Sequence, residues 1–197
     1  MFVRVGVTNV DPNGSGWAQI PGWAINLAIN DNNMVYHIGS QGIYYRKGVT
    51  DENPSGTDWV QIKAPTEEPK LKQLSINNQN QLWAIGAVTG TAYVLNGITP
   101  ENPACKTWTA LPGKLKQIAA TNNGAWCIDN DNKVFFREGV STTNPAGTGW
   151  AGPFPHDLTY IFASGARIAE PTLNAVQKAV KGKQNNNRLV KMQHRLE

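Results

Sequence analysis

Four segments of this chain are copies of one another: "FVRVGVTNVDPNGSGW" from Phe2, "YYRKGVTDENPSGTDW" from Tyr44, "YVLNGITPENPACKTW" from Tyr93 and "FFREGVSTTNPAGTGW" from Phe135. Each places a Gly at the same interval before a Trp, in the pairs Gly6/Trp17, Gly48/Trp59, Gly97/Trp108 and Gly139/Trp150. Successive Trp residues lie 42, 49 and 42 positions apart. A supersecondary unit repeated at this period cannot bury its own apolar face, so the copies must stack, and the period is that of a propeller blade.

The same four short elements recur in each unit. An inner candidate strand reads "LKQLSIN" from Leu71 and "LKQIAAT" from Leu115, with weaker versions "AINLAIN" from Ala24 and "LTYIFAS" from Leu158. A second reads "MVYHI", "QLWAI" and "AWCI", which sets Tyr36, Trp83 and Trp126 at one position. It is apolar on both faces, as a strand sandwiched between stacked sheets must be. A third begins each copied segment at Tyr44 or Phe135, and a fourth starts near the Trp.

Between the third and fourth strands come Asp11-Pro12, Asn53-Pro54, Asn102-Pro103 and Asn144-Pro145. An Asn or Asp that bonds the backbone ahead of it, followed by a Pro with fixed φ, makes a reproducible turn. Gly14, Gly56 and Gly147 follow with permissive backbone, and Cys105 breaks that pattern. "NDNN" at Asn30, "NNQN" at Asn77, "TNNG" at Thr121, "GSQG" at Gly39 and "DNDNK" at Asp129 announce tight hairpins.

The expectation is therefore an all-β chain, a β-propeller of four-stranded antiparallel blades numbering about four. Three are complete, beginning near Trp23, Leu71 and Leu115. The N-terminus supplies only the last two strands of another, and Leu158 to Ser164 supplies one inner strand. These ends either close a ring within the chain, leave it open, or are completed by a second copy, a homodimer. Residues 1–165 form the repeat domain. Residues 166–197 form a basic tail, with "EPTLNAVQKAVKGKQ" read as a short helix.

The formal charge of +4 sits in that tail: residues 1–165 hold 11 Lys/Arg against 12 Asp/Glu, and residues 166–197 hold 7 against 2. A near-neutral body argues against nucleic acid as its partner. No secretory leader and no apolar run of spanning length is present, so no transmembrane segment is expected. Cytoplasmic residence is the default expectation, with non-classical secretion compatible. Cys105 and Cys127 leave one disulfide open. His37, His156 and His194 are scattered, and no phosphate loop, nucleophile elbow or Cys/His metal spacing accompanies them. "DNDN" at Asp129 lacks the glycine and distal Glu of a calcium loop. No catalytic residue, metal or cofactor is expected, and the chain is not expected to be an enzyme.

The signature Gly-(Val/Ile)-(Thr/Ser), Asn-Pro, Gly-Thr and Trp, followed by Leu-Lys-Gln-(Leu/Ile), resembles the tectonin repeat over about residues 1–165. That resemblance implies a β-propeller, commonly of six blades. It also implies a carbohydrate-binding lectin for glycans on bacterial, nematode or other cell surfaces, or else a part in membrane-trafficking assemblies. Sugar recognition combines flat apolar faces with fixed polar partners. The candidate carbohydrate-binding residues are Trp17, Trp23, Trp59, Trp108 and Trp150, with Arg4, Arg46, Arg137, Asn53, Asn102 and Asn144. Each has a structural counterpart reading. The four repeated Trp pack because the blade repeats, the Arg lie on a solvated strand face, and the Asn-Pro pairs make turns. Lys72 and Lys116 are secondary candidates, suited to lipopolysaccharide or phosphorylated headgroups. The alternative reading is a non-enzymatic protein-interaction scaffold or membrane-surface adaptor.

Overall fold

The computed structural model describes residues 1–104 and 107–162. The helix expected after Gly165 lies outside the described residues. Every regular element within them is a β-strand: β1 (Phe2–Val5), β2 (Gly16–Gln19), β3 (Asn26–Ile29), β4 (Val35–Gly39), β5 (Gly42–Arg46), β6 (Trp59–Ile62), β7 (Leu71–Ile76), β8 (Leu82–Gly86), β9 (Thr91–Leu95), β10 (Trp108–Thr121), β11 (Gly124–Asp129), β12 (Lys133–Glu138) and β13 (Gly149–Asp157). Consecutive strands pair antiparallel within each sheet, and the pairing breaks between β2 and β3 and between β6 and β7.

Three complete blades follow the repeat. The first is β3-β4-β5-β6, the second β7-β8-β9 with the front of β10, and the third the back of β10 with β11-β12-β13. β1 and β2 are the outer pair of a further blade and, among the described residues, pair only with each other. The described residues thus form a β-propeller array of stacked four-stranded blades, three complete and one partial at each end.

β10 departs from the sequence reading, which separates the fourth strand of one blade from the inner strand of the next. Here the two are one 14-residue strand, Trp108–Thr121, pairing with β9 through Leu111 and, past a register shift, at Lys114, and with β11 from Leu115. Between them Gly113 has φ 102°. A short Pro-Gly step bends the chain without a loop, so the two blades share one hydrogen-bonded sheet. The equivalent crossing between Ile62 and Leu71 is longer and carries no strand, which accounts for much of the larger 49-residue interval.

The core lies between blades. β8 is buried along its whole length. Its Leu82 and Ala84 join Tyr36, Ile38, Ile43, Tyr45, Leu74 and Ile76 on one side, and its Trp83 and Ile85 join Ile118, Ala120, Ala125 and Cys127 on the other. Period-2 alternation therefore feeds two separate cores from one strand. Cys127 is a free, buried thiol whose pKa burial pushes up to about 12, so it stays protonated and inert.

Polar rungs bind the blades in register. Leu74 N–H donates to Asn26 Oδ1 at 2.7 Å, Ile118 N–H to Gln73 Oε1 at 2.9 Å and Ile161 N–H to Gln117 Oε1 at 2.8 Å. The last rung places residues 158–162 where an inner strand of the following blade belongs. They carry no ladder of their own, because no second strand lies beside them among the described residues.

Candidate ligand-binding surfaces

The repeated Trp and Arg form one module. Arg46 ends the third strand and Trp59 begins the fourth, so the two are cross-strand partners. Arg137 and Trp150 match them, as do Arg4 and Trp17. In each case the guanidinium lies over the indole, 5.0, 5.1 and 5.3 Å from the ring centroid for Trp59, Trp150 and Trp17. Its Nε donates to a turn carbonyl: Arg46 to Ser55 at 2.8 Å, Arg137 to Ala146 at 2.7 Å, and Arg4 to Asn13. The Arg therefore clamps the Asn-Pro turn onto the Trp, combining cation–π attraction with a charge-assisted hydrogen bond.

Arg46 and Arg137 are buried. Their enclosure differs from both the solvated strand face and the ligand-facing position considered from sequence. Leu95 replaces the Arg in the remaining copy, and Trp108 there packs against the core between the first two complete blades.

Three of the four repeated indoles also reach the crossing that leads in from the preceding blade. Trp59 Nε1–H donates to Pro21 O, Trp108 to Lys63 O and Trp150 to Pro112 O, each at 2.8 Å. Trp17 has no such acceptor among the described residues and remains 66% exposed. Trp23 is 65% exposed, in keeping with its departure from the repeat.

Antiparallel order sets where the polar residues gather. The hairpin joining first and second strands, and the loop joining third and fourth, open at the same end of every blade. That end carries both the Asn-rich hairpins and the Asn-Pro turns. The hairpins share one design: Asn30 Oδ1 accepts from Asn32 N–H and Met34 N–H, each at 3.1 Å, and Asn77 Oδ1 accepts from Gln79 N–H at 3.1 Å and Gln81 N–H at 3.0 Å. A residue in the left-handed region, Asn33 (φ 59°) or Asn80 (φ 57°), then reverses the chain. At the opposite end, Asp129 Oδ1 accepts from Asp131 N–H at 2.9 Å and Lys133 N–H at 2.8 Å in the same way. The "DNDN" stretch is thus a hairpin lock, and no cluster of three or more metal-ligating groups occurs among the described residues.

Neighbouring hairpins then bond to each other. Asn30 Nδ2 donates to Asn77 O (2.9 Å) and Asn80 Oδ1 (2.8 Å), Asp31 N–H to Asn78 Oδ1 (3.0 Å), and Asn32 Nδ2 to Asn78 O (2.9 Å). Asn77 Nδ2 reaches Thr121 O at 2.9 Å, and Asn78 N–H reaches Asn122 Oδ1 at 3.0 Å. Asn33 Nδ2 ties this lattice to Asp51 of the adjoining turn at 3.1 Å. Asn30 and Asn77 are buried by it, while Asp31, Asn32, Gln79, Asn122 and Asn123 stay exposed. Asn53 and Asn102 are exposed and Asn144 is half-buried on the same end. Their backbones close the turns, Asn53 N–H donating to Thr50 Oγ1, Asn102 to Thr99 Oγ1 and Asn144 to Ser141 Oγ, each at 3.0 Å.

The secondary cations are engaged within the chain: Lys72 Nζ donates to Leu115 O at 3.0 Å and Lys116 Nζ to Asn132 Oδ1 at 2.7 Å. Burial lowers the Lys72 pKa against the raising effect of Glu68. Glu68 escaped the sequence reading because it stands in the unrepeated crossing. It is buried, accepting from Thr89 Oγ1 (2.6 Å), Thr89 N–H (3.0 Å) and Val88 N–H (3.2 Å). Burial alone would raise its pKa, but these bonds and the Lys72 charge together hold it below the ordinary value. His37 is buried too, stacked on Tyr44 with the edge of Trp59 against it, and its Nδ1 has no hydrogen-bond partner. Burial lowers its pKa.

Comparison with known proteins agrees with this geometry. A human protein, tectonin beta-propeller repeat-containing protein 2, is 32% identical over 69 residues, which are 34% of this chain and 5% of that protein. The PorZ structure, from the type-IX secretion system of Porphyromonas gingivalis, superposes over 84% of this chain and 21% of its own with a TM-score of 0.52 at 14% identity. This chain therefore spans a small part of either relative, and the likeness to PorZ is one of fold. Residues 1–68 and 64–166 both match the Tectonin domain. With four copies of the signature folded as stacked blades, this chain belongs to the tectonin family.

Proposed function

We propose that this chain is a carbohydrate-binding lectin with no catalytic step of its own, recognising surface glycans, lipopolysaccharide among them, through the polar end of its blades. The observation that carries the reading is the hairpin lattice. It holds exposed amide and carboxylate groups, among them Asp31, Asn32 and Asn122, at a repeated spacing set by hydrogen bonds between blades. Fixed donors and acceptors lose little entropy on meeting sugar hydroxyls. Asn53 and Asn102 add amides on the same end, and the exposed indole of Trp17, at the start of a fourth strand, adds an apolar face there. Recognition sites repeated along one molecule turn weak single-site binding into avidity when adjacent sugars are reached together.

The test is a glycan array probed with the full chain, followed by titration of the best ligand against Asn53→Ala and Asn122→Ala. Binding that weakens about tenfold in these variants while both remain folded, a change of about 1.4 kcal/mol, supports the reading. Failure to bind any neutral or acidic glycan removes it.

The basic balance of residues 166–197 favours a second reading, an adaptor that docks on an acidic protein or membrane surface. Partner capture that survives free sugar but is lost on deleting that segment would select it over the lectin.

A further inference from the structure

The inner strands of successive blades meet in the same way each time, and the chain displays both halves of that interface unfilled. In each meeting, one strand turns its polar or small positions forward, Asn26 and Ala28 or Gln73 and Ser75, toward the next blade. The next strand turns its apolar positions back, Leu74 and Ile76 or Ile118 and Ala120. Forward Asn26 receives Leu74 N–H at 2.7 Å, Gln73 receives Ile118 N–H at 2.9 Å, and Ser75 Oγ receives Ala120 N–H at 2.8 Å. Leu74, Ile76, Ile118 and Ala120 are buried as a result.

The series has two loose ends. At one end β3 faces backward with Leu27 and Ile29 at the positions of Leu74 and Ile76, yet these are 47% and 53% exposed. Among the described residues, the blade that should cover them shows only its outer pair, β1 and β2. At the other end the Gln117 rung holds Ile161, which sets Tyr160 and Phe162 at the forward positions of Gln73 and Ser75. These are 69% and 78% exposed. Among the described residues, outer strands without an inner strand thus stand at one end, and an inner-strand segment without outer strands stands at the other. Both occur in the same molecule, since among these residues β1 and β2 pair only with each other.

We propose that a second copy of this chain docks head to tail, laying Tyr160 and Phe162 of one copy over Leu27 and Ile29 of the next, so that one blade is built from two copies. The contact continues an interface the chain already makes between its own blades, with aromatic rings taking the place of the amide rung. It is heterologous, and such contacts either close into a ring or propagate. Burying two aromatic and two aliphatic side chains supplies an apolar centre of the kind that stable interfaces need.

Mass measured by light scattering and sedimentation on the full chain, on Leu27→Asp, on Phe162→Asp and on an equimolar mixture of the two variants tests this. Both positions are exposed, so each variant keeps the wild-type circular dichroism and unfolding temperature. The wild type is expected at twice the single-chain mass, or a higher whole multiple. Each variant alone falls to a single copy, and the mixture returns to two copies because each partner still brings one intact half. A wild type that stays single at tens of micromolar would assign these faces to another occupant and overturn the proposal. Variants that keep the wild-type mass, or a mixture that stays single, would overturn it equally.

Discussion

At the scale of single residues, burial decides what the polar groups do. His37 sits where the other two complete blades have Ala84 and Cys127, small side chains in a tight strand. Its imidazole is enclosed with Nδ1 unpaired, so protonation adds a charge and a donor with nowhere to go. Its folded pKa is lowered, so the unfolded chain binds the proton more readily. The stability it allows is complete above the ordinary His value and is lost as pH falls below it. Unfolding temperatures at about pH 7.5 and about pH 5 should differ more in the wild type than in His37→Phe, which keeps a ring against Tyr44 and Trp59. Equal differences in the two proteins would refute this. Glu68 works in the opposite sense, its stabilisation being present above the ordinary Glu value and lost as pH falls toward its lowered folded value. Glu68→Ala strands the N–H groups of Val88 and Thr89 and should cost about 1–3 kcal/mol in urea unfolding at neutral pH. A cost near zero would show that water replaces the carboxylate there.

Among elements, the turn between third and fourth strands carries the most sequence information. The glycine ahead of the Trp is required by geometry in three copies. At Gly147, φ is 66° and an added Cβ would lie 2.3 Å from Glu138 O, while at nearby Gly149 nothing lies within 4 Å. Gly147→Ala should therefore lower stability by about 1–2 kcal/mol. Gly149→Ala should be neutral or slightly stabilising, because it only narrows the unfolded ensemble. Thermal melts of the pair check this, and equal shifts would contradict it. The turn, the blade boundaries and the paired hairpins could be read from sequence because local chemistry fixes them. The fusion of two strands into β10 could not, since Pro112-Gly113 reads as a break and only the pull of both neighbouring sheets keeps the strand continuous. The inter-blade rungs do have a sequence signal: a Gln at the same place in two inner strands, Gln73 and Gln117. The Arg–Trp clamp was equally within reach, since residues flanking one turn must face each other across it. Glu68 was not, because a residue outside the repeat has no counterpart to draw attention to it.

At the scale of the whole molecule, each repeat derives its meaning from the next one. A Trp at one fixed position is a strap between blades wherever a preceding blade offers a carbonyl, and an exposed ring where none does. Its conservation of place across the four copies thus reflects packing first. The same dependence explains why most of the exposed large apolar side chains lie in the first and last units.

The most direct measurement of this dependence is thermal unfolding of four matched variants, Trp17→Phe, Trp59→Phe, Trp108→Phe and Trp150→Phe, at dilution sufficient to keep copies apart. Each keeps an aromatic ring and removes the indole N–H, which bridges blades in three cases. Losing that bond should cost about 1 kcal/mol, or about 2–4 °C for a chain of this size, at positions 59, 108 and 150. Trp17→Phe should melt with the wild type. A loss at Trp17 equal to the other three would contradict the account, because it would mean the residue acts within its own copy and not across to its neighbour.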